Sequence, residues 1–243
     1  MSEGDLAARS GVDTADEIGM LARTFDNMTG RLQRQRTSTI RALASAIDAR
    51  DPYTLGHSVR VGELAARIGQ ELNLTSLQLQ DLEIGGYLHD VGKIGIRDSV
   101  LLKQGTLTKE ERAMVEEHPL IGLHIIEPIE LPDRVRDFVV LHHERLDGSG
   151  YPYKFRGEDV PLFARIGAVA DMYDALITER PYKRALSVSE VLAILSREAD
   201  IGRIDAKIAK ILESIVPEWE DRWREDPVLR GTYQPSMGLV AAS

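Results

Sequence analysis

The chain has 243 residues, 43% of them apolar, a formal net charge of −9 and no cysteine. That length holds one sizeable core, or one domain with an appendage. The missing cysteine excludes disulfides, thiolate metal sites and cysteine nucleophiles, and the acidic balance argues against a broad basic surface for a nucleic acid polymer.

An anionic substrate would need a local cluster of Lys and Arg. No apolar run approaches the roughly 18 residues that span a bilayer, and the polar stretch Met1–Arg9 has no leader pattern.

From Met1 to about Ala15 no period is visible. Ile18, Leu21, Phe25, Met28 and Leu32 then recur at alternating spacings of three and four. That spacing is a heptad seam, and Asp16-Glu17 suit the positive end of a helix dipole. The seam resumes at Ile40, Leu43 and Ile47, slipped by one residue around Arg36. Periodicity alone leaves two readings open: a coiled-coil or bundle helix, and a surface helix whose stripe drifts.

After Asp51-Pro52 the pattern becomes globular. A helix is expected over about 54–72, carrying His57. Thr75 and Gln78 form a capping box for a helix running to Asp90, Thr108 and Glu111 form a second, and Ser187 and Glu190 a third. The helix after Thr108 is expected to end near His118-Pro119, with a short one over about 120–127. The segment 91–107 reads as a Gly- and Lys-containing loop. Pro132 opens a helix that reaches His142, and 144–161 is a loop long enough to be functional. The segment 162–177 is strongly apolar yet contains Asp171 and Asp174. Further helices run to about Trp223, and the tail 226–243 is expected to be loosely ordered. No strand pattern is evident, so the fold class is all-α.

Five of the six histidines, His57, His89, His118, His142 and His143, fall at expected helix ends or beside Gly or Pro. Asp90 and Asp171 lie in apolar surroundings. Buried histidines and carboxylates are costly unless something pairs with them. A His/Asp set without cysteine suits iron, manganese or zinc. Taken singly, a His-Asp or His-His pair is as readily a hydrogen-bonded core pair. His124 reads as structural or surface.

The set in its order says more. His57 closes Asp51-Pro52-Tyr53-Thr54-Leu55-Gly56-His57. Then come His89-Asp90-Val91-Gly92-Lys93, Glu117-His118-Pro119, His142-His143-Glu144-Arg145-Leu146-Asp147-Gly148-Ser149-Gly150-Tyr151-Pro152, Asp171-Met172-Tyr173-Asp174, and Arg180-Pro181-Tyr182-Lys183. The series resembles the HD-GYP domain, a subgroup of the HD phosphohydrolase superfamily, over about residues 38–215. Gly4-Asp5-Leu6, Asp16 to Ala22 and Phe25-Asp26-Asn27-Met28 resemble the second half of a HAMP signalling module.

The first resemblance implies an HD-type helical bundle that hydrolyses cyclic di-GMP to pGpG or GMP with two divalent metals, iron first and manganese or another transition metal second. It implies that His57, His89, Asp90 and Asp171 hold one metal, and that Asp90 bridges to a second held by His118, His142 and His143. Some trinuclear members carry a Glu where this chain has Tyr53, which favours two metals here. Asp90 and Lys93 would be catalytic, and Lys93, Arg180 and Lys183 would contact substrate phosphates. Gly148, Gly150, Tyr151 and Pro152 would shape the pocket and meet partners such as a diguanylate cyclase.

The second resemblance implies a homodimer through the N-terminal helix, in a cytoplasmic piece of a membrane-tethered receptor or a natural truncation. The expected divisions are 1–37, a signalling segment; 38–225, the catalytic domain; and 226–243, the tail. Two other readings compete: a module that binds without cleaving, and a relative acting on another nucleotide, including cyclic GMP-AMP. Ile204-Asp205-Ala206 departs from the family's Phe-Asp-Pro, which should alter only a helix start.

Overall fold

The computed structural model describes residues 10–50, 56–178 and 185–225. Among them the order is α1 (Glu17–Asp48), α2 (His57–Glu71), α3 (Ser76–Leu88), α4 (Asp98–Leu101), α5 (Lys109–Val115), α6 (His118–Ile126), α7 (Asp133–Leu141), α8 (Leu162–Ile177), α9 (Val188–Asp200) and α10 (Ala206–Glu225). Short 3-10 turns cover Val91–Gly95 and Gly157–Asp159. The described residues contain no strand, only an isolated bridge between Asp147 and Arg156. The all-α expectation holds. The expected tail 226–243 lies outside the described residues, as do Tyr53, Arg180 and Lys183.

The chain divides into two compact units, 1–43 and 44–243. In the first, the Asp16 carboxylate accepts the Gly19 N–H at 3.0 Å and caps α1. Ser10 ties the preceding segment to Asp26 through bonds of 2.8 and 3.0 Å. The seam residues Ile18, Leu21, Met28 and Leu32 are exposed.

In the second unit, the three expected capping boxes are present at Thr75/Gln78, Thr108/Glu111 and Ser187/Glu190. Each satisfies two backbone N–H groups that the first turn leaves without partners. Pro132 and Pro161 stand just before α7 and α8, where a missing N–H costs nothing. Asp205 accepts from the N–H groups of Lys207 and Ile208 at 2.9 and 3.2 Å. This cap starts α10 without the family's proline.

Two expectations are corrected. The helix after Thr108 stops at Val115, and His118 opens α6 with Pro119 in its first turn, because proline fits a first turn and not a helix interior. The segment 91–107 is not a plain loop, since it folds into the first 3-10 turn and α4.

The core joins Val61, Leu64 and Ile68 of α2 to Leu82 of α3, Phe138 of α7, Ile166 and Tyr173 of α8, Leu195 of α9 and Leu212 of α10. Each such side chain contributes roughly 1.5–3 kcal/mol by leaving water. Glycines set the spacing beside the site. A Cβ on Gly86 of α3 would lie 2.2 Å from the Gly62 Cα of α2, and one on Gly92 would lie 1.9 Å from the His118 carbonyl oxygen. The first contact brings the helix after His57 against the helix before His89. The second seats the turn after Asp90 on the start of α6.

Candidate metal centre

Four of the six histidines in this chain end or begin helices that point at one place. His57 opens α2, His89 follows α3, His118 opens α6 and His142 follows α7. All four are buried, as is Asp90, while Asp171 on α8 and His143 are partly buried.

The imidazoles are oriented by a repeated device. The Nδ1 atoms of His89, His118 and His142 lie 2.7, 2.7 and 2.9 Å from the carbonyl oxygens of Gly86, Val115 and Val139, each three residues earlier. A carbonyl only accepts, so each Nδ1 carries the hydrogen and each Nε2 presents a lone pair to the centre. His57 follows the same logic with a carboxylate. Its Nδ1 lies 2.7 Å from Asp174 Oδ2, and Arg60 holds Asp174 through bonds of 2.6 and 3.0 Å.

Asp90 occupies the middle. Its Oδ1 is 3.4 Å from His118 Nε2, and its Oδ2 is 3.3 Å from His89 Nε2 and 3.7 Å from His57 Nε2. Asp171 lies 3.2 Å from His57 Nε2 through Oδ1 and 4.0 Å from His143 Nδ1 through Oδ2. Lys93 forms an ion pair with Asp90.

Burial opposes charge on both carboxylates. Lys93 and the imidazoles nonetheless hold Asp90 well below the usual carboxylate range, and His57 does the same for Asp171. Burial pushes His118 and His142 down, so both offer neutral nitrogens. Burial also works against a charged His57, but Asp171 and Asp174 push it up to about 9. A proton and a cation are therefore alternatives at its Nε2.

These residues fit a transition metal. Three overlapping groups bring potential ligand atoms within 4.8 Å of one another: His118, His142 and His143; His57, His89 and Asp171; and His89, Asp90 and His142. The Nε2 of His89 is buried with no hydrogen-bond partner, a costly state that a cation would relieve. Imidazole and carboxylate donors without thiolate match a catalytic rather than a thiolate structural site.

The loop after His143 closes over this centre. The Tyr151 ring lies 4.7 Å from the His143 ring, centroid to centroid. Gly150 lies so close to the chain entering the loop that a Cβ there would meet Arg145 N at 2.4 Å. Glu144 organises the far side. It is buried and accepts the N–H groups of Tyr153, Lys154 and Phe155 at 2.7, 3.0 and 3.1 Å.

Neither Glu144 nor Arg60 is among the site residues expected from the sequence. Glu144 had a signal in principle, because a long loop must find acceptors for its amides. Of the expected site residues, His57, His89, Asp90, Lys93, His118, His142, His143, Tyr151 and Asp171 come together, while Arg180 and Lys183 fall outside the described residues.

An all-helical domain whose helix ends converge on a His/Asp cluster defines a class of metal-site helical domains. The comparisons make it specific: residues 41–208 match the HD domain model and residues 1–34 the HAMP domain model. The chain belongs to the HD-domain family, and its Gly150-Tyr151-Pro152 loop places it in the HD-GYP subgroup.

It is 41% identical over 180 residues to the cyclic di-GMP phosphodiesterase response regulator RpfG of Xanthomonas campestris pv. campestris, covering 73% of this chain and 47% of that protein. It is 33% identical over 170 residues to the 3'3'-cGAMP-specific phosphodiesterase 1 of Vibrio cholerae, covering 70% and 39%. The chain thus spans about half or less of these relatives. In fold it is similar to a cyclic GMP-AMP-specific phosphodiesterase of V. cholerae, with a TM-score of 0.62 at 20% identity over 80% of this chain and 52% of that one.

Proposed function

We propose that this chain is a metal-dependent phosphodiesterase module that hydrolyses cyclic di-GMP to pGpG or GMP. One observation carries the reading. The two oxygens of Asp90 face different histidines, with His118 on one side and His57 and His89 on the other. A carboxylate so placed suits a bridge between two cations. In this reading His57, His89, Asp90 and Asp171 hold one metal, and Asp90, His118, His142 and His143 hold the other. Iron is the first candidate and manganese the second.

When bound, the metals supply Lewis-acid activation of water and neutralise charge on the phosphate. The chain's own residues do the rest. The backbone carbonyls behind His89, His118 and His142 fix the tautomer of each imidazole and aim its Nε2 at the centre. Lys93, beside Asp90, places a cation where a nonbridging phosphate oxygen gains charge. Arg180 and Lys183 are assigned to the substrate phosphates from the motif alone. Tyr151 and the adjoining Gly150 and Pro152 wall the mouth. Water adds its oxygen to phosphorus as the bond to the 3′ oxygen breaks, and that oxygen takes up a proton.

The exposed seam Ile18, Leu21, Met28 and Leu32 supports a homodimer through the N-terminal helix, as the HAMP match also suggests. No described helix is long and apolar enough to cross a membrane. A cytoplasmic setting within a membrane-tethered receptor, and contacts of the Gly150-Tyr151-Pro152 loop with a diguanylate cyclase, belong to this proposal. The test is a substrate panel with metal-loaded protein. Faster turnover of cyclic di-GMP than of cyclic GMP-AMP or mononucleotides supports the reading, and the reverse preference overturns the choice of substrate.

A further inference from the structure

Beyond the metal centre lies a cavity of about 380 Å³, in the size range of small-molecule sites. His143 and Tyr151 line it, so it opens directly off the proposed reaction centre. Its far wall carries charges of both signs. Arg145 comes from the loop after His143, Glu198 from α9, Arg203 from the turn after α9, and Arg112 and Glu116 from α5 and its end.

The pairing among these groups is loose. Arg145 Nη1 stands 3.9 Å from Glu198, beyond hydrogen-bond length, and is buried without a hydrogen-bond partner. Arg203 reaches Glu198 only at 3.5 Å and Asp147 at 3.3 Å. A guanidinium carries five N–H donors and a carboxylate has two oxygens that accept, so the loosely paired Arg145, Arg203 and Glu198 that line this wall keep donor and acceptor capacity for a ligand.

The mixture of charges decides the ligand class. A pocket for a second phosphate would not set Glu116 and Glu198 against it. A guanine base, by contrast, needs both signs along one edge: its O6 accepts, while N1–H and N2–H donate. We propose that this cavity is a guanine-recognition pocket, in which Arg145 donates to O6, Glu198 accepts from N1–H and N2–H, and Arg203 steadies Glu198. Adenine presents a donor where guanine has O6 and an acceptor where guanine has N1–H, so it meets Arg145 and Glu198 with the wrong polarity. A site built to hydrogen-bond one base rejects the other because its own polar groups are left unpaired.

This rests on the phosphodiesterase reading for its biological meaning, but the test does not use turnover. Binding of GMP and of AMP to the metal-loaded full chain is measured at equilibrium, for wild type, Glu198→Gln and Arg145→Lys, with metal content recorded for each. The expected result is GMP bound about tenfold or more tightly than AMP by wild type, with the ratio falling to within about threefold in Glu198→Gln.

Arg145→Lys, which keeps the charge but not the planar fork, should lower the ratio too, and it carries the test if Glu198→Gln folds poorly. Equal binding of GMP and AMP by wild type overturns the pocket, as does an unchanged ratio in both variants. A chain that shows the guanine preference yet fails to hydrolyse cyclic di-GMP would sink the phosphodiesterase reading and leave the pocket standing.

Discussion

Asp174 and His57 form a buried pair, Oδ2 to Nδ1 at 2.7 Å, joining α8 to the first residue of α2. The carboxylate fixes the tautomer of the imidazole and turns its Nε2 toward Asp90 and Asp171. Arg60 holds Asp174 from the other side. Partners of this kind set ligand orientation and basicity. Asp174→Asn is expected to weaken metal affinity about 10- to 100-fold while the helical content is kept. Competition with a chelator of known affinity measures it, and unchanged affinity would remove Asp174 from the account.

The same pair makes the metal-free protein sensitive to alkali. His57 titrates normally at 6.5 when unfolded, and at about 9 when folded because Asp171 and Asp174 outweigh its burial. Its raised value means the stabilisation is complete below pH 6.5 and disappears as pH rises through 9. The chelator-treated protein should lose up to about 3 kcal/mol of unfolding free energy across that window. Metal-loaded protein should not follow this course, because a cation takes the place of the proton. Urea unfolding at pH 6, 8 and 10 reads both cases, and parallel pH profiles with and without metal would count against the assignment.

Glu144 supports the loop over the centre by accepting three successive backbone N–H groups. Glu144→Ala leaves those amides to water or to nothing. The expected cost is about 2 kcal/mol in stability, with a raised KM as the loop loses its shape. Urea denaturation and steady-state kinetics check the two effects. A variant as stable as wild type would show that the loop holds itself.

Arg50, just past the end of α1, donates to the carbonyl oxygens of Lys93, Ile94 and Ile96 and to the Asp98 carboxylate. Two residues before it, Asp48 accepts from the Ser58 N–H and hydroxyl in the first turn of α2. This junction thus grips both the turn carrying Lys93 and the helix begun by His57. Arg50→Ala should lower kcat/KM on cyclic di-GMP about tenfold or more through misplacement of Lys93, with metal content unchanged. Full activity would mean that the turn keeps its place without the clamp.

Much of the fold was readable because its signals are local. Thr75/Gln78, Thr108/Glu111 and Ser187/Glu190 announce helix starts within four residues, and each box is present. The convergence of His57, His89, Asp90, His118, His142, His143 and Asp171 could be anticipated from ordered motifs rather than from periodicity. What stayed hidden depends on tertiary packing. Arg60 and Asp174 are 114 residues apart, and nothing near either residue names the other. His118 was placed at the end of one helix and instead begins the next, because the weight of Pro119 as a first-turn residue outruns its reading as a stop. The cavity wall of Arg145, Glu198 and Arg203 is assembled from two distant segments and leaves no motif at all.

Asp90, with its two oxygens facing different histidines, would hold two metals in a site proposed to hydrolyse a cyclic dinucleotide. Metal analysis of anaerobically purified protein, paired with product identification on cyclic di-GMP, tests it most directly in wild type and in the double variant His89→Ala, Asp90→Ala. The account predicts about two transition-metal ions per chain and release of pGpG or GMP by wild type, with metal and turnover both lost in a double variant that still folds. Full turnover by the double variant, or turnover by wild type stripped of metal, would contradict it.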